Sequence, residues 1–152
     1  MPEKRTIERA KDDLRRGKSA STAAGEFVRE EIEHVREGKH GARSTKQAIA
    51  IGLSKARRAG VPLRPPARGR TSERTRRSAE RELAVASGRR KRRPSSPRRR
   101  RAATRALERE PKSTVSKAAL SRQAKSAAKR RTRRPARTTR RKRAPRSRAG
   151  AR

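Results

Sequence analysis

Dense clusters of arginine and lysine are the most chemically distinctive feature of this sequence. Of its 152 residues, 50 are Lys or Arg and 14 are Asp or Glu, so the formal net charge at pH 7 is +36. Guanidinium and ammonium groups bind phosphate oxygens, and each phosphate neutralised on a nucleic acid releases a condensed counterion. We therefore predict that the clusters bind nucleic acid. Their residues are Arg89, Arg90, Lys91, Arg92, Arg93, Arg98, Arg99, Arg100, Arg101, Lys129, Arg130, Arg131, Arg133, Arg134, Arg140, Arg141, Lys142 and Arg143.

Aromatic side chains that could stack on bases are almost absent. The chain has one Phe and no Trp or Tyr, and Phe27 lies on the apolar side of a predicted helix, so we interpret it as a core residue. Single-strand platforms and RNA recognition modules depend on such stacking. The helices predicted at 21–37 and 45–59 are joined by a connection longer than the turn of a helix-turn-helix. The sequence therefore predicts binding through phosphates and groove shape rather than recognition of bases.

Residues suited to catalysis or metal binding form no complete motif. There is no Cys, and residues 17–19 match only the end of a phosphate-binding loop, because Asp12 stands where its first Gly is required. Glu31 and His34 have the Glu-x-x-His spacing of carboxylate metal bundles but no second copy. We interpret His34 as a surface histidine beside carboxylates and His40 as a loop residue. The sequence predicts no enzyme, catalytic residue, metal site, cofactor or small-molecule substrate.

The large apolar residues that could hold a fold are concentrated in residues 1–63. Apolar spacing of three and four residues predicts helices at 3–16, 21–37 and 45–59. Ser44 followed by Gln47 has the form of a capping box at the start of the third helix, and Gly52 offers a flat face for close approach of another helix. We predict a small all-α head domain at 1–63.

Residues 64–152 hold most of the excess positive charge and few large apolar residues. Pro62, Pro65 and Pro66 separate them from the head. A chain of this composition cannot bury enough apolar surface to offset its conformational entropy, so we predict a disordered basic tail. Stretches at 71–87 and 113–130 favour helix by composition, and we expect them to become helical when a polyanion neutralises them. No apolar run is long enough to cross a membrane.

Part of the head resembles a known family. Residues 25–61 read GEFVREEIEHVREGKHGARSTKQAIAIGLSKARRAGV and resemble a family of small uncharacterised bacterial proteins. Its signature is matched by KQAIAIGLS at 46–54 and ARRAG at 56–60. The resemblance implies a bacterial origin but brings no fold and no catalytic residue. The tail is similar to those of histone-H1-like bacterial proteins, with Arg in place of much of their Lys.

These patterns together predict a non-enzymatic, histone-H1-like, nucleoid-associated DNA-binding protein in the bacterial cytoplasm. An RNA-binding or ribosome-associated basic protein remains an alternative, because phosphates alone do not separate DNA from RNA. A helical protein-interaction module is a second alternative, in which the head self-associates or binds a protein partner and the tail anchors it. We also expect the carboxylates of Glu30, Glu31 and Glu33 to form an acidic face that masks part of the tail or binds a basic partner.

Overall fold

The computed structural model of the chain describes residues 2–91 and 94–132, except for the side chains of residues 131 and 132. In this part of the chain it contains six α-helices, one 3-10 turn and no β-strand, which confirms the all-helical prediction. The helices are α1 (Lys4–Arg15), α2 (Ala20–Arg36), α3 (Thr45–Arg58), α4 (Glu73–Ala86), α5 (Pro97–Glu108) and α6 (Lys117–Thr132), with the 3-10 turn at Ser113–Val115.

The helix count corrects the prediction of about three helices. Three of the six described helices lie beyond residue 63, and α4 and α6 occupy the stretches that we expected to be helical only with a polyanion. Each of these three helices begins after a serine whose hydroxyl accepts an N–H from the first turn: Ser72, Ser96 and Ser116. These caps and the high helix propensity of Ala, Leu, Arg and Lys outweigh like-charge repulsion. The disorder predicted for 133–152 lies outside the described residues.

Helices α1, α2 and α3 pack around Phe27, which is fully buried as predicted. Small residues line the contact between α2 and α3, and a Cβ added at Gly52 would lie 2.7 Å from the Cα of Val28. The most buried stripe of α3 therefore consists of Ala48, Gly52 and Ala56. The close approach expected at Gly52 is confirmed.

A second apolar cluster joins α2, α3 and the loop between them to the segment before α6. Val115 is fully buried with Val35, Ala42 and Ala48. The Oγ1 of Thr114 donates to the carbonyl of Ala42 at 2.9 Å. Residues 113–115 are thus held on α2 and α3. These contacts cross residue 63, and the division into a head at 1–63 and a tail at 64–152 stays a prediction.

Helix α4 packs on α3. Ala79 is 3% exposed, Glu82 accepts a hydrogen bond from Ser54, and Arg57 lies 3.8 Å from Glu82. Helix α5 differs, because in the described part of the chain it packs against no other helix. It is fixed at its carboxyl end, where Gly41 N donates to the carbonyl of Leu107 at 2.8 Å.

Candidate nucleic-acid interface

Helix α5 carries a cluster of four consecutive exposed arginines. Ser96 caps it and Pro97 occupies its first turn, and the four residues 98–101 are all exposed. Successive residues of a helix turn by about 100°, so four consecutive arginines surround the first turn. A surface depression of about 440 Å³ runs along one side of the helix. It is lined by Pro97, Arg100, Arg101, Thr104, Arg105 and Glu108.

In the part of the chain that the structure describes, the arginines of α5 have no acidic partner. Among residues 2–91 and 94–132, no carboxylate lies within 4.0 Å of the guanidinium of any residue in 98–101 or of Arg105. On α1, by contrast, Asp12 lies 3.6 Å from Arg15 and 2.7 Å from Arg16. An unpaired, exposed guanidinium keeps all of its donors for an external phosphate.

Helix α4 presents a second basic face, which the sequence did not lead us to predict. Arg74, Arg77 and Arg81 are exposed and recur at three- and four-residue spacing, so they share the side of α4 opposite buried Ala79. The signal in the sequence was this periodicity. It was overlooked because acidic residues interrupt the basic ones and no dense run results.

One arginine of α4 is neutralised internally. Arg76 Nε lies 3.2 Å from both carboxylate oxygens of Glu73, and Arg76 also pairs with Glu80. The hydrogen bond from Arg76 holds the pKa of the Glu73 carboxyl below its usual value, and the same bond raises the pKa of Arg76. Arg76 is therefore not counted among the arginines free for phosphate.

The remaining predicted binding residues are distributed over the chain. Arg89, Arg90 and Lys91 are exposed just after α4, and Lys129 and Arg130 are exposed near the end of α6. Of Arg131 only the backbone is described, as part of α6. Outside the described residues lie Arg92, Arg93, Arg133, Arg134, Arg140, Arg141, Lys142 and Arg143.

The acidic face predicted on α2 is not a surface for the tail. Glu30 is 4% exposed and Glu31 is 0% exposed. Both face Lys55 of α3, whose Nζ lies 3.5 Å from Glu30 Oε1 and 2.6 Å from Glu31 Oε2. The prediction failed because an amphipathic pattern shows which residues are polar but not which polar residues find a buried partner. Of the three carboxylates, only Glu33 is exposed.

His40 lies in the loop between α2 and α3, as predicted, whereas His34 is more buried than the surface position predicted for it. The side chain of His34 is 14% exposed rather than on the surface, and that of His40 is 18% exposed. Their rings meet edge to face with centroids 6.2 Å apart. His34 Nε2 lies 3.1 Å from Glu3 Oε1, and this hydrogen bond, followed by the charge of Lys39, holds the pKa of the Glu3 carboxyl below its usual value.

Comparisons of the chain with protein-family models, curated proteins and solved structures gave no match. The resemblance of residues 25–61 to a bacterial family therefore stays a prediction. None of the helices in the described ranges combines the length and apolar character needed to cross a membrane.

Proposed function

We propose that the protein binds duplex DNA without regard to base sequence, as a histone-H1-like component of the bacterial nucleoid. The observation that carries the proposal is the cluster of exposed arginines at 98–101, which have no carboxylate partner among the described residues. Each such side chain that meets a phosphate releases a counterion, and the gain does not depend on the base pair. Phe27, the one Phe in a chain without Trp or Tyr, is buried and cannot stack on a base.

The placement of α5 suits this role. Its 12 residues span about 18 Å. A helix of this length can lie in a groove of DNA or along its phosphate backbone. It packs on no other described helix, so its sides stay open to a ligand. Among the described residues, the loop between α2 and α3 holds the chain just beyond the carboxyl end of α5, where Ala42 N donates to the carbonyl of Pro111 at 3.1 Å. DNA can therefore approach α5 without disturbing the core.

A pair of double variants tests the role of α5. Arg98→Ala with Arg99→Ala removes two unpaired arginines, whereas Arg15→Ala with Arg16→Ala removes two that are paired with Asp12. Both lower the formal charge equally, and Ala suits an exposed helix position. Anisotropy titrations of labelled duplexes over a range of KCl concentrations give log K against log salt. We expect the first variant to lower the slope by about 1.8, because each lost phosphate contact removes about 0.9.

The α1 variant should lower that slope by clearly less. An equal loss in both variants would mean that binding follows net charge alone, and α5 would then have no special role. Two unrelated duplexes of equal length should bind within a factor of a few. A preference for one sequence by more than about 4 kcal/mol, the range of specific binders, would contradict sequence-independent binding.

RNA is the competing ligand, since its phosphates offer the same contacts. Competition between duplex DNA, duplex RNA and single-stranded RNA of equal length at one salt concentration distinguishes the two. We expect duplex DNA to compete at least as well as either RNA. Crosslinking in bacterial cells followed by sequencing of the bound nucleic acid extends the test: broad chromosomal coverage supports the nucleoid role, and enrichment of ribosomal RNA supports the alternative.

A further inference from the structure

One carboxylate and two imidazoles converge where α2 ends and the loop to α3 begins. Glu31 and His34 are three residues apart on α2 and share one side of it. His40 reaches the same place from the loop. One potential ligand atom of each residue lies within 4.8 Å of those of the other two. The side chains of both histidines are largely buried, and that of Glu31 is completely buried.

The hydrogen bonding of His40 leaves a lone pair that faces Glu31. His40 Nδ1 lies 3.1 Å from the carbonyl oxygen of Gly41, and a carbonyl only accepts, so Nδ1 carries the proton. In the neutral ring Nε2 is then an acceptor, and it lies 3.4 Å from Glu31 Oε1. Two such lone pairs at this distance repel each other unless a proton or a metal cation lies between them.

Neither oxygen of Glu31 has a hydrogen-bond partner among the described residues, although both oxygens are buried. Lys55 Nζ approaches Oε2 to 2.6 Å as an ion pair but without hydrogen-bond geometry. Lys55 therefore balances charge on the Oε2 side and leaves Oε1 directed at the histidines. A buried carboxylate oxygen without a partner costs free energy, and a ligand at this position would remove that cost.

One ligand-to-ligand distance in the cluster matches that of a tetrahedral metal ion, and the other two are no longer than 4.8 Å. Zinc binds imidazole nitrogen at about 2.0–2.1 Å and carboxylate oxygen at about 2.0–2.2 Å, so two ligand atoms of a tetrahedral site lie about 3.4 Å apart. His40 Nε2 and Glu31 Oε1 are 3.4 Å apart. Metal-binding histidines commonly use the other ring nitrogen to bond a backbone carbonyl or a carboxylate. Here Gly41 supplies a carbonyl to His40, and Glu3 supplies a carboxylate to His34.

We propose that Glu31, His34 and His40 bind one divalent transition-metal ion of the Zn²⁺ class. Two imidazoles and one carboxylate suit such ions better than Mg²⁺ or Ca²⁺, which prefer oxygen ligands alone. The ion would tie α2 to the loop before α3. In that loop Gly41 lies against Glu110, since a Cβ on Gly41 would come 1.7 Å from the carbonyl oxygen of Glu110. Metal binding would thus brace the surface that holds the carboxyl end of α5, and the proposal does not depend on DNA binding.

Calorimetric titration of the metal-free full-length protein with ZnCl₂ tests the site. We expect one zinc per chain. The net charge of +36 repels free cations from the protein as a whole, so stoichiometric binding requires a local site. Loss of a second-shell partner typically weakens metal sites by about 10- to 100-fold. We therefore expect His40→Ala, which removes a ligand, to weaken zinc binding by more than about 100-fold.

Glu33→Gln is the matched control, because Glu33 is an exposed carboxylate on the same helix. It should bind zinc as the unchanged protein does. Glu31→Gln should also abolish binding; because Glu31 is buried, circular dichroism at 222 nm must first show that this variant is folded. If Glu31→Gln does not fold, the zinc titrations of His34→Ala and His40→Ala test the site instead, because both of these side chains are partly exposed.

The imidazole NMR signals give an independent readout, because the chain has two histidines. Long-range ¹H–¹⁵N spectra should show zinc-dependent ¹⁵N shifts in both rings and identify which nitrogen of His34 binds. The proposal is overturned by a titration without heat and without ¹⁵N shifts. It is equally overturned by zinc binding that His40→Ala retains, or by a stoichiometry of half a zinc per chain, which would place the site between two chains.

Discussion

The guanidinium of Arg36 donates to the carbonyl oxygen of Val115 from two nitrogens, Nε at 3.3 Å and Nη2 at 3.2 Å, across 79 residues of chain. The side chain of Val115 is buried beside Val35 and Ala48. A segment that looks like part of a basic tail therefore completes the second apolar cluster of the protein. The carboxyl end of α5 is attached to the same region through the bond from Gly41 N to the Leu107 carbonyl.

Val115→Ala measures how much this docking stabilises the first three helices. It removes two buried methyl groups and leaves a cavity, and we expect the free energy of unfolding to fall by about 2 kcal/mol. Urea denaturation followed by circular dichroism at 222 nm measures the change. Val85→Ala is the control, because Val85 is only partly buried on α4. If Val115→Ala lowers the free energy of unfolding no more than Val85→Ala does, residues 1–63 fold independently of the rest, as the sequence predicted.

The first three helices could be predicted from the sequence, because the interactions that start and end them lie between residues close together in the chain. Ser44 caps α3 by accepting from Gln47 N, and the Gln47 side chain bonds back to Arg43 N. Gly38 and Gly60 take positive φ just past the ends of α2 and α3, a conformation that glycine adopts at little cost. Spacing rules capture such features because every interacting group lies within a few residues.

The packing of residues 113–115 on α2 and α3 could not be predicted from the sequence, because its hydrogen bonds are accepted by backbone carbonyls, which every residue has. Thr45 Oγ1 donates to the Thr114 carbonyl at 2.6 Å, and nothing in either threonine specifies that pairing. A lone Val115 in a polar stretch has no periodicity. The same reasoning applies to the site: arginine clusters are visible as runs, but the position of His40 beside Glu31 depends on how the loop packs.

Gly52→Ala should destabilise the contact between α2 and α3. The added Cβ would lie 2.7 Å from Val28 Cα and 3.0 Å from the Phe27 carbonyl oxygen, and backbone atoms cannot move aside easily. We expect a loss of about 1–3 kcal/mol, which is typical of overpacking, in urea denaturation. Gly25→Ala is a matched change within α2, where the Cβ would meet nothing within 4 Å. It should stabilise the protein by about 0.5–1 kcal/mol. Equal effects of the two changes would contradict the close approach at Gly52.

The ion pair at the start of α4 predicts a pH dependence. Because the hydrogen bond from Arg76 lowers the folded pKa of Glu73 below its usual value of 4.5, the pair stabilises α4 at pH values above that number. This contribution is lost as the pH falls through the lowered folded pKa. Carboxyl ¹³C NMR titrations should show that Arg76→Gln raises the pKa of Glu73. Arg81→Gln, which removes an exposed arginine of the same helix, should leave it nearly unchanged. A Glu73 pKa that does not respond to Arg76→Gln would contradict the assignment.

Lys55 is the cation on which two buried carboxylates depend. Its Nζ lies 2.6 Å from Glu31 Oε2 and 3.5 Å from Glu30 Oε1, and its side chain is 17% exposed. Removing one partner of a buried ion pair costs about 3–5 kcal/mol, because the remaining charge is left in a poorly solvated site. We expect Lys55→Met to lower the free energy of unfolding by about that amount. The urea titration is run in EDTA, so that no bound cation replaces the lost ammonium.

Lys46→Met is the matched control, because Lys46 is exposed on the same helix and should change stability by no more than about 0.5 kcal/mol. Adding Glu31→Gln to Lys55→Met removes one of the stranded carboxylates. The double variant should therefore be more stable than Lys55→Met alone, a non-additivity expected for groups in contact or in one ion-pair network. If the two substitutions add independently, Glu31 and Lys55 are not coupled in solution. In that case the burial of Glu31 between α2 and α3 would need another explanation.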